Sequence, residues 1–368
     1  MNTHNGSPAG SLAREEEELI QKTAQIQADR ESAGLEGLIL GLDAVIITVE
    51  PDRVVPAVSE LLRYTGLSCT EAYTHGNEKG YVLGLHESAS LIIRSRAGSP
   101  NPFAAVNRAR MTGSLPDTRL ETFIFTTPDI REYVRIQRER NVRFLTPEPI
   151  ESASCSFIQT VPSRLTGNSL GFVEWKGAGR SFVPMAGKPE TSLPEKPAFS
   201  DLENIGALDH AATRIRAQDR TAAILEFLSL TNYHYDFGIH VKSLNSITSV
   251  ARRNDGDFAM VFTSGITPYT TDEASGPTEL FIRNYGTRVH HMAFRTGKIE
   301  ETVSRLKETG MDFLLDLVGS EDEGLKQIFS VPSQNTLIVN EYIHRYGGFD
   351  GFFTRSNVEK LTEATTRQ

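Results

Sequence analysis

The sequence predicts an α+β protein of two domains, each a pair of β-α-β-β-β modules whose strands form an open barrel. Three observations predict it. Strand-like alternation followed by a segment of helical apolar period recurs along the chain. Landmarks repeat between the halves: Asp43 to Thr127 spans 84 residues and Asp209 to Thr296 spans 87. A stretch rich in glycine and proline, 177–204, separates the two halves.

Composition sets the outer bounds. The chain has 368 residues, enough for two ordinary domains, with 39% hydrophobic and 23% charged residues, as in globular proteins. A net charge of −9 argues against wholesale binding to nucleic acid or an anionic membrane. No apolar run approaches the roughly 20 residues that cross a bilayer. The first 34 residues are polar, with a helix expected over 11–29, and read as a mobile or loosely docked tail. They lack the apolar core of a secretion signal, so a cytoplasmic location is expected. Cys69 and Cys155 form no CxxC, so neither a disulfide framework nor a thiolate metal site is indicated.

The first barrel is expected over 35–176. A strand at 43–49 leads to a helix at 54–65, closed by Gly66, and to strands around 69–74, 80–85 and 90–94. The second module opens with a strand at 121–127. Its helix is expected from Pro128, a residue suited to a helix start. Strands follow around 142–145, 156–160 and 170–175.

The second barrel, 205–368, repeats the plan. Strands are expected at 208–215, 246–251 and 258–263, with a helix at 220–228 between the first two. Next come a strand at 288–296, a helix at 299–309, and strands near 313, at 325–330 and at 337–343. Finer spacings agree between the halves. Phe144-Leu145 lies 17 residues after Thr127, and Phe313-Leu314 lies 17 after Thr296. Glu174 follows Phe144 by 30 residues, and Glu341 follows Phe313 by 28. That spacing sets Ala44 against His210, Thr122 against His291 and Glu174 against Glu341.

The chemistry is expected in the second half. His210, one of His290 and His291, and Glu341 stand on three separate strands. Two imidazoles and a carboxylate are the donor set of a non-haem iron(II) facial triad, which leaves about three coordination positions open. Strict alternation would put Val289, His291 and Ala293 on one face and His290, Met292 and Phe294 on the other. Alternation does not decide which of the two neighbouring histidines is the ligand. The remaining histidines (His4, His75, His86, His234, His240, His344) read as surface or loop residues.

At these residues the sequence resembles the 4-hydroxyphenylpyruvate dioxygenases of the vicinal oxygen chelate superfamily, whose glyoxalase-like fold is the one expected above. Asp209-His210 is similar to the family's opening Asp-His, whose histidine binds iron. Ser243-Leu244-Asn245-Ser246 contains its Leu-Asn-Ser segment. Gly286 to Thr296 resembles Gly-x-Gly-Val-Gln-His-Ile-Ala-x-x-Thr, a register that assigns the ligand to His291 and sets His290 where the family has glutamine. Leu325-Lys326-Gln327-Ile328-Phe329 resembles Leu-Leu-Gln-Ile-Phe, and Asn340 to Arg345 resembles Glu-Ile-Ile-Gln-Arg, whose glutamate is the third ligand. Gly348-Phe349-Asp350-Gly351-Phe352-Phe353 is similar to the turn before a C-terminal lid helix, expected here at 356–364.

The resemblance implies Fe(II) held by His210, His291 and Glu341. It implies Gln327, Ser246 and Asn245 as groups orienting the substrate, and Phe329, Phe349, Phe353 and His290 in the substrate pocket. It further implies O₂ and a small-molecule 2-oxo acid as reactants, decarboxylation coupled to hydroxylation, and a homo-oligomer, dimer or tetramer. The implied substrate is 4-hydroxyphenylpyruvate or a related arylpyruvate, giving a homogentisate-type product in aromatic amino acid catabolism. A mandelate-type or aliphatic product is the alternative within the same chemistry. Departures fall on groups that place the aromatic substrate: the family's Pro-x-Asn-Glu-Pro is absent, and Gly276-Pro277 stands near the point of a family glutamine. Two further readings compete. One is an extradiol-type ring-cleaving dioxygenase with His240 or His290 as acid–base. The other is a non-catalytic ligand-binding protein.

Overall fold

The computed structural model describes residues 8–96, 100–177, 179–183, 187–198, 200–349 and 351–367. Residues 1–7 of the tail, with His4, and Pro184 and Asp350 lie outside the described residues. Among the described residues no helix is long and apolar enough to cross a membrane.

The strands form two mixed sheets, each a curled half-barrel built from two modules. In the first, Leu42–Thr48 pairs in parallel with Ser90–Arg94 and antiparallel with Arg119–Thr126, joining the modules at their opening strands. The second sheet repeats this: Ile205–Arg214 pairs in parallel with Ala259–Ser264 and antiparallel with Arg288–Thr296. Alternation gives each sheet two buried faces. Val45 and Ile47 face the large core shared with the helices, whereas Ala44 and Ile46 face the first barrel's interior. In the second sheet Ala211 faces the helices and Ala212 the interior.

The domains meet with pseudo-twofold reciprocity. Arg119 Nη2 donates to the Thr287 carbonyl, and Arg288 Nη2 donates to the Thr118 carbonyl, each at 2.5 Å. Both guanidiniums are buried, and burial pushes both below the usual arginine range.

Several expectations are corrected. The N-terminal tail is a docked helix, Pro8–Ala33. Leu19 is fully buried, and Arg30 Nη1 donates to the carbonyls of Leu228, Thr231 and Tyr233 at 2.9, 2.8 and 2.6 Å. A cation there meets the negative end of the helix Arg220–Leu230. The 128–140 helix begins at Ile130, because Asp129 caps it by accepting from the Glu132 N–H at 2.9 Å. The longest elements outside the expectations are a strand and a helix. Strand His234–Val241 carries Gly238 and is half-buried along most of its length, which blurs its alternation. Helix Gly276–Tyr285 follows an irregular stretch. Lys188–Pro189 of the linker adds a short edge strand to Ser68–His75.

Candidate metal centre

Strand register explains why the three candidate ligands converge. His210 lies opposite Ala293, Ala293 beside Glu341, and Glu341 opposite Phe329, so these residues form one row across four strands. The adjacent row holds Ala212, His291 and Val339. Ligand atoms from His210, His291 and Glu341 all lie within 4.8 Å of one another. His210 Nε2 is 3.1 Å and His291 Nε2 is 3.3 Å from Glu341 Oε2. The two imidazoles stand nearly perpendicular, at 84°.

The neighbouring histidines are resolved by a β-bulge. The register steps from Ala212 opposite His291 to Thr213 opposite Val289, leaving His290 as the extra residue. Strict alternation across 289–294 therefore fails. Val289 joins Met292 and Phe294 in the helix-side core, and His290 lies beside His291. The two Nδ1 atoms are 2.8 Å apart, so one ring donates to the other. With His291 Nε2 turned to Glu341, its Nδ1–H donating to His290 fixes the ligand tautomer. The first sheet has the same bulge at Glu121, between Ile46 opposite Thr122 and Ile47 opposite Leu120.

Each ligand has a partner that holds it. His210 Nδ1 lies 2.8 Å from Asp209 Oδ1, and Asp209 is clamped by Arg345 and Arg295 at 2.7 and 3.0 Å. Gln327 Nε2 donates to Glu341 Oε1 at 2.5 Å, and Asn357 of the C-terminal helix Arg355–Ala364 donates to Gln327 Oε1 at 3.1 Å. The C-terminal helix and Glu341 are thus joined by one hydrogen-bonded chain. Burial raises the Asp209 carboxyl, but His210 and Arg345 override it and hold the group well below the carboxylate range. Burial would lower His210, but Glu341 and Asp209 raise it to about 9. Burial, with His290, His210 and Arg214 adding to it, pushes His291 well below the usual histidine value. A neutral imidazole is a ready ligand, and a proton held between His210 and Glu341 is one that a metal displaces.

The donor set fits a hard or borderline divalent ion. Three N/O donors share one face, the ring nitrogens are held by outer partners, and neither described cysteine is near: Cys69 and Cys155 lie in the first domain. Beside the ligands is a cavity of about 40 Å³, lined among others by Arg214, Thr248, Thr263, Phe329, Phe353 and Leu361. A cavity near 150 Å³ holds a benzene ring, so the space beside these residues is smaller than one ring. A larger cavity, about 350 Å³, lies on the helix side between Phe123, Glu226 and Phe262, away from the ligands.

The other expected site residues divide. Gln327, Phe329, Phe353 and His290 line the metal-side cavity. Phe349 instead packs on Gly324 and Gly351 and lines the opposite mouth with Asp209 and Arg345. Asn245 does not reach the cavity. It adopts a left-handed conformation (φ 46°) and organises the following loop, accepting from the Ile266 and Thr267 N–H groups at 3.1 and 2.9 Å. Ser246 is buried, its hydroxyl without a partner among the described residues, and does not line the cavity. His240 lies 3.3 Å from Glu16 of the N-terminal helix and does not line this cavity. Glu174 is not the counterpart of Glu341. Ile124 lies beside Gly171 where Ala293 lies beside Glu341, so Gly171 holds that position. Glu174 accepts the Ile130 N–H at 2.9 Å and caps a helix instead. Sequence reasoning missed Arg214 and Asn357. The first could have been found, because it follows His210 by four residues on one strand and so shares its face.

No family model matches the chain, and no curated protein matches it by sequence. Solved structures do. A triple mutant of 4-hydroxymandelate synthase from Streptomyces coelicolor superposes with a TM-score of 0.67 at 18% identity, over 89% of this chain and 98% of that one. A xylose isomerase-like TIM barrel/4-hydroxyphenylpyruvate dioxygenase fusion protein superposes at 0.62 and 16% identity, over 89% of this chain and 52% of the fusion, so this chain spans about half of it. At these identities the likeness establishes the fold: this chain has the two-domain vicinal oxygen chelate architecture.

Proposed function

We propose that the protein is a non-haem Fe(II) dioxygenase that oxidatively decarboxylates and hydroxylates a 2-oxo acid, using O₂. The observation that carries this reading is the convergence of His210, His291 and Glu341 in one barrel, with every ligand braced from behind. Iron held there would supply a Lewis acid and a redox centre, with open positions for a chelating 2-oxo acid and O₂. The protein's own residues supply the rest. Asp209 and His290 fix the two imidazoles, and Gln327 holds the carboxylate oxygen that faces away from the histidines. Phe353 and Phe352 lie edge-on to His210, with centroids at 5.1 and 5.6 Å, and Phe329 lies 4.7 Å from His291, so water is kept from the reacting centre. The C-terminal helix closes the cavity and reports to Glu341 through Asn357 and Gln327. The likeness to 4-hydroxymandelate synthase supports this chemistry, and an arylpyruvate is the substrate the sequence resemblance suggests. We further propose a homo-oligomer acting in the cytoplasm.

The test is O₂ uptake with CO₂ release after anaerobic Fe(II) loading, over a panel of aryl, alkyl and dicarboxylic 2-oxo acids. Coupled uptake and release with at least one is expected. Failure with all of them would overturn the reading and leave an extradiol-type dioxygenase or a non-catalytic binding protein.

A further inference from the structure

The interior of the second barrel is stratified. His210 and Glu341 occupy one row. The next is apolar and holds Ala212, paired with Val261, and Val250 beyond it, together with the ligand His291. One step further, Arg214 pairs with Thr263, and Thr263 pairs with Thr248. All three of these polar residues line the same cavity as His291 and Glu341. At about 3.3 Å per residue, the Cα of Arg214 stands about 13 Å along the strand from that of His210.

Arg214 is buried and lacks a counter-charge. Nη1 donates to the Pro277 carbonyl at 3.3 Å, Nη2 donates to the Thr365 hydroxyl at 2.8 Å, and the guanidinium lies 4.7 Å over the Phe281 ring. All these partners are neutral, and among the described residues no carboxylate pairs with it. Burial alone pushes it down, to about 9. Two other buried cations are matched, Arg30 by Glu36 and Arg220 by Glu16, as are the half-buried Arg94 by Glu121 and Arg345 by Asp209. Arg119 and Arg288 are unmatched too, but they bridge the domains and line neither cavity described here. A buried cation without an acid is costly unless something completes it. Here the incomplete cation faces a ligand cavity, beside two threonines, across an apolar belt from a metal centre.

We propose that Arg214, with Thr263 and Thr248, receives the second, terminal carboxylate of the substrate, which is therefore a 2-oxo dicarboxylic acid with a short apolar spacer. Its 2-oxo acid end lies at the His210–His291–Glu341 centre, its methylenes lie against Val261 and Phe353, and its far end neutralises Arg214. The assignment rests on the oxygenase reading above and replaces the arylpyruvate expected from the sequence resemblance with a diacid. Because Thr365 ends the C-terminal helix, a carboxylate that joins Arg214 also adds a contact at the lid's end.

The experiment compares 2-oxoadipate with 2-oxohexanoate, the monoacid of equal length, and with 4-hydroxyphenylpyruvate. Affinity is read by calorimetry on the anaerobic Fe(II)-loaded protein and turnover by O₂ uptake. A charge-assisted pair predicts that 2-oxoadipate binds about 10–100-fold more tightly than 2-oxohexanoate. Arg214→Met should collapse that ratio to about one, and Arg214→Lys should retain part of it. If Arg214→Met does not fold, Thr263→Val should still reduce the ratio several-fold, and the wild-type ratio stands as a test by itself. Equal binding of diacid and monoacid, or tighter binding of 4-hydroxyphenylpyruvate, would overturn the diacid assignment and leave the oxygenase intact. A diacid preference lost in Arg214→Met without any O₂ uptake would uphold the carboxylate site and overturn the oxygenase instead.

Discussion

The two barrels share one backbone plan and differ in what fills them. Where the second has His210, His291, Glu341 and Gln327, the register of the first sets Ala44, Thr122, Gly171 and Phe157. The Phe157 ring takes the space: a Cβ on Gly171 would come within 2.9 Å of it and within 3.1 Å of Ile124. Ala44, Ile46, Ile92, Ile124 and Val173 complete an apolar interior, with Trp175 and Phe182 packed against it. The bulge is kept in both, but its residue differs. Glu121 neutralises Arg94 and Arg96, whereas His290 braces a ligand. Even the Asp of the opening strand is retained: Asp43 accepts from Trp175 and Arg180, while Asp209 accepts from His210, Arg295 and Arg345. The fold supplies a set of inward positions, and four side chains distinguish an apolar core in one barrel from a candidate metal centre in the other.

The comparison breaks most severely if the second barrel's ligands are placed singly in the first. Gly171→Glu buries a carboxylate against Phe157 with no partner. A loss of roughly 3–5 kcal/mol is expected, read as a lower denaturation midpoint. Unchanged stability would mean that the first barrel's interior is looser than its packing implies.

A smaller effect comes from removing a brace in the second barrel. Gln327→Leu takes away the donor to Glu341 and the link to Asn357, and metal affinity should fall about 10–100-fold, measured by competition with a chelator. Phe157→Leu, at the matching position in the first barrel, should leave metal affinity unchanged. Equal losses at both positions would undo the distinction between core and centre.

The smallest effect concerns how the N-terminal helix holds the second domain. Burial raises Glu16, but His240, Tyr235 and Arg220 override it and lower its carboxyl to about 2. A carboxyl lowered on folding stabilises the fold above its unfolded value near 4.5, and that contribution is lost as pH falls from there toward 2. Glu16→Gln should therefore lose stability at neutral pH, by about 1–3 kcal/mol, and show a shallower decline across that window. A parallel decline in both proteins would show that Glu16 does not anchor the helix.

Much of this was legible in the sequence, and the failures have physical causes. Alternation and the repeat gave the modules, because a barrel strand has two distinct faces and four modules repeat one hydrophobic pattern. The same pattern misplaced Glu174, since a loop differing by a few residues slides a landmark past the strand register that decides orientation. His290 was assigned to the wrong face because a bulge adds one residue and inverts the alternation after it. The motif residues Asn245 and Phe349 were assigned to the substrate, yet here one shapes a loop and the other packs behind the centre. The helix Gly276–Tyr285 was missed, and with it the carbonyl and ring that hold Arg214.

The most direct test of the account is metal stoichiometry. Anaerobic titration of the full chain with Fe(II) should reach one ion per chain, and Glu341→Ala should abolish binding while its circular dichroism stays that of the wild type. Two ions per chain, or binding retained in folded Glu341→Ala, would contradict the claim that one barrel is a metal centre and the other a core.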